Sequence, residues 1–325
     1  MTRNTIYCFG IINLDILVYP LDGWPEPGGL VPVDHVVFTP GGTALNTALT
    51  IQKLGLNAVE LLGCVGDDDA GNRIYDQLVK DKVGVGGLTR TAATNSGVCI
   101  VTIQSSGERS FLYSAGANDA ANSFSAYLER ISEGCMVHLG GVLDMAILGG
   151  EDLVQIVDAL KEKACFISMD LAWDWRQRGW ESLRASLRRT DVVSLNEQEA
   201  INLTGERDLI TSAEKIFTEG CPFVIIKLGN RGAYVHRQDF QGIIPGFAVT
   251  AVDTTGAGDA FSGALLVALS NNEPPLQAVH FANAEGACCV QKIGPSDGVR
   301  SYSEVLKFIE AQEQSFNIED QANEK

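Results

Sequence analysis

The densest chemistry in the chain lies in one stretch near its C-terminal end, Asp253-Thr254-Thr255-Gly256-Ala257-Gly258-Asp259-Ala260-Phe261-Ser262-Gly263. Gly256, Ala257 and Gly258 leave the backbone almost bare just ahead of Ala264 to Leu269, an apolar run that reads as a buried helix. Unpaired N–H groups and the positive end of that helix can therefore face a phosphate that bulkier side chains would hold off. Asp259 falls in the first turn. Its carboxylate would stand beside a transferring phosphoryl group, within reach of an acceptor hydroxyl, where a general base belongs. A Gly-rich turn followed by Asp at a helix start is also ordinary capping chemistry, and the turn alone leaves that reading open.

Other polar groups sit at positions where ligands gather. Thr5 to Ile12 reads as a buried strand ending in Asn13-Leu14-Asp15, and the carboxyl ends of parallel strands are where substrates are met; Asn and Asp are equally common in plain turns. Gly41-Gly42 opens a helix through Leu54, with Asn46 on its first turns able to offer both a donor and an acceptor to a hydroxyl. Asn196 and Glu199 have the spacing of a capping box at the start of another helix. Lys227 ends an apolar strand before the turn Gly229 to Gly232; its ammonium either reaches a phosphate or snorkels to solvent.

The string from Asp253 to Gly263, with the apolar helix behind it, closely resembles the C-terminal motif of the ribokinase-like (PfkB) family of carbohydrate and nucleoside kinases. Gly41, Gly42 and Asn46 resemble that family's N-terminal motif, with Ala44 in place of a further Gly. The likeness runs from Thr5 to about Lys307. It implies that Asn13, Asp15, Gly41, Gly42 and Asn46 orient the acceptor, that Asp259 takes its proton, and that Gly256, Ala257 and Gly258 form an anion hole. It further implies that Asn196 approaches the nucleotide phosphates, that Glu199 organises hydrated Mg²⁺, and that Lys227, Gly229, Gly232, Gly258 and Asn283 line the ATP site. Asp253, Thr255, Gly294 and Ser296 resemble the family's monovalent-cation site, so K⁺ joins ATP and Mg²⁺ as an expected cofactor.

The activity expected from this resemblance is ATP-dependent phosphorylation of a hydroxymethyl group on a sugar or sugar derivative, as in fructokinases and ribokinases. A nucleoside kinase of the same fold and a non-catalytic sugar-binding regulator remain as alternatives. Leu139-Gly140-Gly141 stands where ribokinase resembles Leu-Glu-Ser, so the carboxylate expected to grip ribose is missing there. Fructose, another hexose derivative, a keto-deoxy acid and a nucleoside stay open. Asp170, Trp173, Asp174, Trp175 and Arg176 follow a strand end and either shape this pocket or form a surface loop.

The elements that must position these groups alternate. Strands are expected at Val59 to Val65, Met136 to Leu139, Cys165 to Met169, Asp191 to Leu195 and Pro222 to Lys227. Helices are expected at Ala70 to Val83, Asp152 to Lys163, Trp180 to Leu187, Leu276 to Lys292 and Ser301 to Gln314. The pattern predicts a ribokinase-like α/β fold, a mostly parallel sheet with helices on both faces. Residues 16–38 and 97–114 break the rhythm with short strands and turns, including a hairpin across Ser105 to Glu108. They read as a β lid inserted in a single kinase domain over residues 1–315, with Trp24, Phe111 and Tyr113 as candidate lid contacts and an exposed lid edge suited to a homodimer. Residues 316–325 form a polar, acidic tail expected to fray.

Composition narrows the classes. A formal net charge of −17 argues against a general nucleic-acid surface, while a single nucleotide can still be held by amides and a few cations. The first strand is not followed by G-x-G-x-x-G, and no Lys precedes Ser or Thr, which disfavours dinucleotide-dependent oxidoreductases and P-loop kinases. Eight cysteines without metal spacing read as free thiols in a reducing cytoplasm. No signal-peptide core and no bilayer-length apolar run is present, so no membrane association is expected.

Overall fold

The first strand buries both of its faces, and the rest of the molecule is layered on it. The structure, a computed structural model, describes residues 5–121 and 123–323. Its first half contains β1 (Thr5–Gly10), β2 (Asn13–Tyr19), β3 (His35–Gly41), α1 (Thr43–Leu54), β4 (Ala58–Gly66), α2 (Asp69–Lys80), β5 (Gly84–Thr91), β6 (Gly97–Ile103), β7 (Arg109–Ser114) and α3 (Ser125–Leu128). The α/β rhythm resumes with β8 (Met136–Val142), α4 (Gly150–Glu162), β9 (Phe166–Leu171), α5 (Glu181–Leu187), β10 (Val192–Asn196), α6 (Glu197–Thr204), α7 (Leu209–Thr218) and β11 (Val224–Lys227). It closes with β12 (Ala233–Arg237), β13 (Phe240–Ile244), α8 (Ala257–Ser270), α9 (Pro275–Cys289) and α10 (Tyr302–Asn323).

Nine strands form the central sheet in the order β13-β12-β11-β10-β9-β8-β1-β4-β5, all running the same way except β12, which pairs antiparallel with both β11 and β13. Alternation along β1 divides the core: Ile6 and Cys8 pack with α1, α2, α8 and α9, while Tyr7 and Phe9 pack with α4, α5, α6 and α7. The chain leaves β1 toward β4 on one side and returns on the other through β8. The crevice beyond the ends of β1 and β8 is therefore the topological switch point where ligands bind in such sheets. The start of α1 fills that crevice. A Cβ on Gly140 would lie 3.0 Å from the Ala44 amide nitrogen, so this close packing explains why no carboxylate-bearing residue stands at the end of β8.

A second sheet, ordered β3-β2-β6-β7, is built from the residues expected to form the lid and is called the lid on that basis. The expected hairpin is present as β6 and β7, pairing Val98 with Ser114 through Ile103 with Arg109. The lid sheet is larger than residues 16–38 and 97–114, because it begins at Asn13 and its β3 runs to Gly41. This corrects the expectation for Asn13 and Asp15: β1 stops at Gly10, and both residues lie on β2, in the lid, rather than at the end of the first strand.

Further elements, the short α3 among them, were not anticipated. β5 contains Gly84, Gly86 and Gly87 where an apolar run would mark a strand, and it packs closely on β4, since a Cβ on Gly84 would lie 2.8 Å from the Val59 carbonyl oxygen. The helix α7 and the edge strand β13 were also missed. The expected helix to Lys292 stops at Cys289, leaving Gly294 and Ser296 in a loop. α10 runs on through most of the segment expected to fray, where side chains lie outside the described ones. Among the described residues, no helix is long and apolar enough to cross a membrane.

Candidate active site

The start of α8 is built from backbone. Gly256 caps it in the left-handed region at φ 73°, and a Cβ there would lie 2.0 Å from the Pro295 carbonyl oxygen. No side chain caps this terminus, so its first amides face the cleft without a side-chain acceptor. Buried all along its length from Ala260 to Ala268, α8 also lies close to α1, where Gly263 meets Thr50. The apolar sequence of the helix thus fixes the position of its polar end.

Asp259 sits in the first turn and accepts a hydrogen bond of 2.8 Å from Asn46 Nδ2 on α1. Burial, and next the Asp170 carboxylate, push its pKa up to about 7, against the Asn46 bond and the Lys227 ammonium. Asn46 Oδ1 and Thr43 Oγ1 are both buried without a partner among the described residues. Two unmet polar atoms beside a carboxylate are what an acceptor hydroxyl would satisfy. Thr43 was not singled out from sequence, because a Thr after Gly-Gly is an unremarkable helix start.

Lys227 does not snorkel. Its Nζ donates to both oxygens of Asp170 at 2.9 Å, and Ser262 donates to Asp170 Oδ2 at 2.7 Å. Burial alone would lower the lysine pKa, but the carboxylates of Asp170 and then Glu199 raise it overall, so the ammonium stays charged. A Cβ on Gly258 would lie 3.2 Å from that Nζ, which places the cation against the bare turn.

Asn196 and Glu199 form a complete capping box, each side chain bonding the other's amide at 2.8 Å. Glu199 nevertheless lines the same cleft, and burial raises its pKa to about 7. These groups share a cavity of about 610 Å³ with Asn283, Gly229 and Gly232, and its far end is walled by Phe247, Val249 and Val290. A polar end at a helix start and an apolar end of this size suit a nucleotide. Asn283 donates to the carbonyls of Ile244 and Pro245, holding the cavity wall. Gly232 at φ 96° lets that wall close, since a Cβ would lie 2.1 Å from the Ile244 carbonyl oxygen.

On the lid side, burial lifts Asp15 to about 7, and a Cβ on Gly41 would lie 1.9 Å from Asp15 Oδ2 and displace that carboxylate. Asn13 Oδ1 accepts from Asn118 Nδ2 at 3.0 Å, and Asn118 also bonds the Ile12 backbone. Gly42 caps α1 at φ 96° with no side-chain bond.

Leu139-Gly140-Gly141 supplies no carboxylate, but Asp144 lies just beyond β8. It is buried, is bonded by Trp175 Nε1 at 2.8 Å, and is raised to about 6 chiefly by burial. Arg176 stacks on Trp175 and pairs with Asp119. Asp174 bonds the amides of Arg178 and Gly179, while Trp173 is exposed. Half of that segment therefore shapes the interior and half is surface.

The residues expected to hold a monovalent cation are already engaged. Asp253 accepts from the Thr255 amide and hydroxyl, the Gly294 amide and Arg109 Nη2, while the Ser296 carbonyl accepts from Lys53 Nζ at 2.6 Å. With a guanidinium and an ammonium on two of the four expected ligands, this arrangement does not fit a further cation on those groups.

Over residues 3–301 the chain matches the family model described as pfkB family carbohydrate kinase. A fructokinase-1 of Zea mays is 29% identical over 328 residues, covering 95% of this chain and 98% of that relative. A ribokinase of Haemophilus influenzae is 26% identical over 324 residues, covering 95% and 99%. The ribokinase of Thermotoga maritima superposes with a TM-score of 0.80 at 26% identity, over 94% of this chain and 99% of that one. A fructokinase double mutant from Vibrio cholerae, solved with fructose, ADP and a potassium ion, shares the fold at a TM-score of 0.79 and 23% identity, over 94% and 98%. A likeness that runs through both sheets, and not through one motif alone, places this chain in the pfkB family of carbohydrate kinases, ATP-dependent sugar phosphotransferases.

Proposed function

We propose that the chain transfers the γ-phosphoryl group of ATP to a hydroxymethyl group of a free sugar, with fructose and then ribose as the first acceptors to try, since relatives are named for both. The observation that carries this reading is Asp259: a half-buried carboxylate with its pKa raised to about 7, held by Asn46, at the first turn of an uncapped helix. Asp259 takes the hydroxyl proton as the oxygen–phosphorus bond forms. The amides of Gly256, Ala257 and Gly258 and the Lys227 ammonium face the charge on the transferring group. Asn13, Asp15, Gly41, Gly42 and Asn46 orient the acceptor, and Asn196, Gly229, Gly232 and Asn283 shape the nucleotide cavity.

Asp170, Glu199 and Asp259 crowd one lysine, a balance that favours ATP arriving with a divalent cation. Among the described residues no three metal-ligating side chains converge, so Mg²⁺ here would be held through phosphate oxygens and water, with Glu199 orienting the water. Mg²⁺ would offset charge on the phosphates. No step is assigned to potassium. All eight cysteines are free thiols, which supports a reducing, cytoplasmic setting. A lid-to-lid homodimer is supported by the exposed apolar Val36, Phe38 and Leu112 on one lid face.

The test is ADP release from Mg-ATP across sugars, sugar acids and nucleosides, with Asp259→Asn alongside. The expected result is an acceptor-dependent signal that falls by about 10²–10⁴-fold in the variant, the range for losing a general base. Undiminished turnover in Asp259→Asn would remove the carboxylate from the mechanism.

A further inference from the structure

Side chains on the lid follow the period of a strand, so residues paired directly across the sheet share a face. Asp15 pairs with Cys99 and Cys99 with Tyr113; four residues along, Ile103 pairs with Arg109. Arg109 therefore projects from the same lid face as Asp15, the face turned to the acceptor side of the cleft. It crosses to the other side: Nη2 donates to Asp253 Oδ1 at 2.6 Å and Nη1 to Thr254 Oγ1 at 2.9 Å. Both ends of the ion pair are largely buried, with 15% of the arginine side chain and 4% of the aspartate exposed.

The acceptor side of that contact is the turn leading into α8. Asp253 gathers it, bonding the Thr255 amide and hydroxyl through Oδ1 and the Gly294 amide through Oδ2. Thr254 lines the nucleotide cavity, and Gly256 two residues later packs on Pro295 of the same Gly294 loop. Burial would push the Asp253 carboxyl up; the bonds from Gly294 and Thr255, and then the Arg109 guanidinium, hold it below its ordinary range. Removing the arginine would leave a buried carboxylate with amide and hydroxyl donors but no counter-charge. The Nε of Arg109 is itself buried without a partner among the described residues, so the guanidinium is placed here at the cost of one donor.

We propose that Arg109 is a positioning residue that couples the lid to the anion-binding turn: closing the lid over the acceptor delivers its guanidinium to Asp253 and Thr254 and so orders the turn at the start of α8. The acceptor is then sensed on β2, at Asn13 and Asp15, and reported on β7 to the phosphate side of the same cleft. ATP meets an ordered turn only when the lid is down over an acceptor, which disfavours transfer to water. The proposal rests on the phosphoryl-transfer reading of the α8 site.

Hydrogen exchange on the full chain tests the coupling without turnover, and kinetics with ATP and fructose, or another panel sugar that is phosphorylated, test its consequence. The variants are Arg109→Ala, Arg109→Gln to keep bulk, and Arg109→Lys to keep charge. Expected are faster exchange of the Thr255 and Gly294 amides, together with β6 and β7, in the alanine and glutamine variants. A fall in kcat of about 10²-fold, the scale of a small misplacement at a reacting centre, should exceed any change in acceptor KM. Arg109→Lys should recover part of both effects. Exchange at Thr255 and Gly294 unchanged in Arg109→Gln, or kcat within about twofold of the parent, overturns the proposal. If the parent phosphorylates no sugar while the exchange pattern holds, the kinase reading fails and the coupling stands.

Discussion

The two sides of the cleft are made from different material. At the start of α8 the chain presents backbone, with Gly256, Ala257 and Gly258 chosen for what they lack and positioned by a helix buried from Ala260 to Ala268. On the lid it presents side chains, Asn13, Asp15 and Arg109, carried by a four-stranded sheet whose other face keeps Val36, Phe38 and Leu112 about half exposed. A phosphate would be the same in every reaction of this kind, and a rigid surface of amides would suit it. Acceptors differ, and side chains on a sheet beside the main core can vary without disturbing that core.

Each side also holds a carboxylate near 7 for its own reason. Burial raises Asp15, whereas burial together with the Asp170 charge raises Asp259. The two environments give separable signatures.

The sharpest way to break the contrast is at Gly256. A Val there would need φ 73° and would drive its Cβ into the Pro295 carbonyl, so turnover should fall by about 10³-fold or more, read as acceptor-dependent ADP release. Near-normal turnover in Gly256→Val would show that the amides of this turn are not the anion site. A smaller effect is expected from pH. A general base works only as the carboxylate, and a pKa raised to about 7 keeps Asp259 protonated below that value. At saturating substrates kcat should therefore drop by about 30-fold between pH 8 and pH 5.5, following one ionisation. The kcat profile should persist in Asp15→Asn, whose loss should appear in acceptor KM; a profile abolished by Asp15→Asn would move the base to the lid. The smallest effect is expected on the outer lid face. Val36→Glu with Leu112→Glu should convert a dimer to a monomer in sedimentation while kcat changes by less than about twofold. A monomeric parent would remove the lid-to-lid contact altogether.

Much of this architecture is legible in consecutive residues. The α8 turn, the Gly41-Gly42 start of α1, the β6–β7 hairpin and the βα alternation each depend on local propensity or on the absence of side chains, and the matching elements are present. Where local signals were weak, reading along the chain failed. β5 carries glycines where it packs closely on β4, with a Cβ on Gly84 meeting the Val59 carbonyl, and Asn13 and Asp15 sit on a strand of the second sheet because the chain turns two residues after β1 ends. Asp144 was invisible as a buried carboxylate, since its partner Trp175 comes from another loop.

By itself, then, the sequence determined the fold class and the bare-backbone turn, and it named the polar residues proposed to meet a sugar and a nucleotide. Only the tertiary structure decided their chemical state. Lys227 is an ion-pair partner because Asp170, 57 residues away, ends the strand two places along the sheet. Asp259 is near 7 because burial and the Asp170 carboxylate outweigh the bond from Asn46, 213 residues distant on α1. Asp253 meets Arg109 across 144 residues because the lid folds onto the turn. Backbone shape follows from neighbours in the chain, whereas charge, burial and pairing follow from neighbours in space.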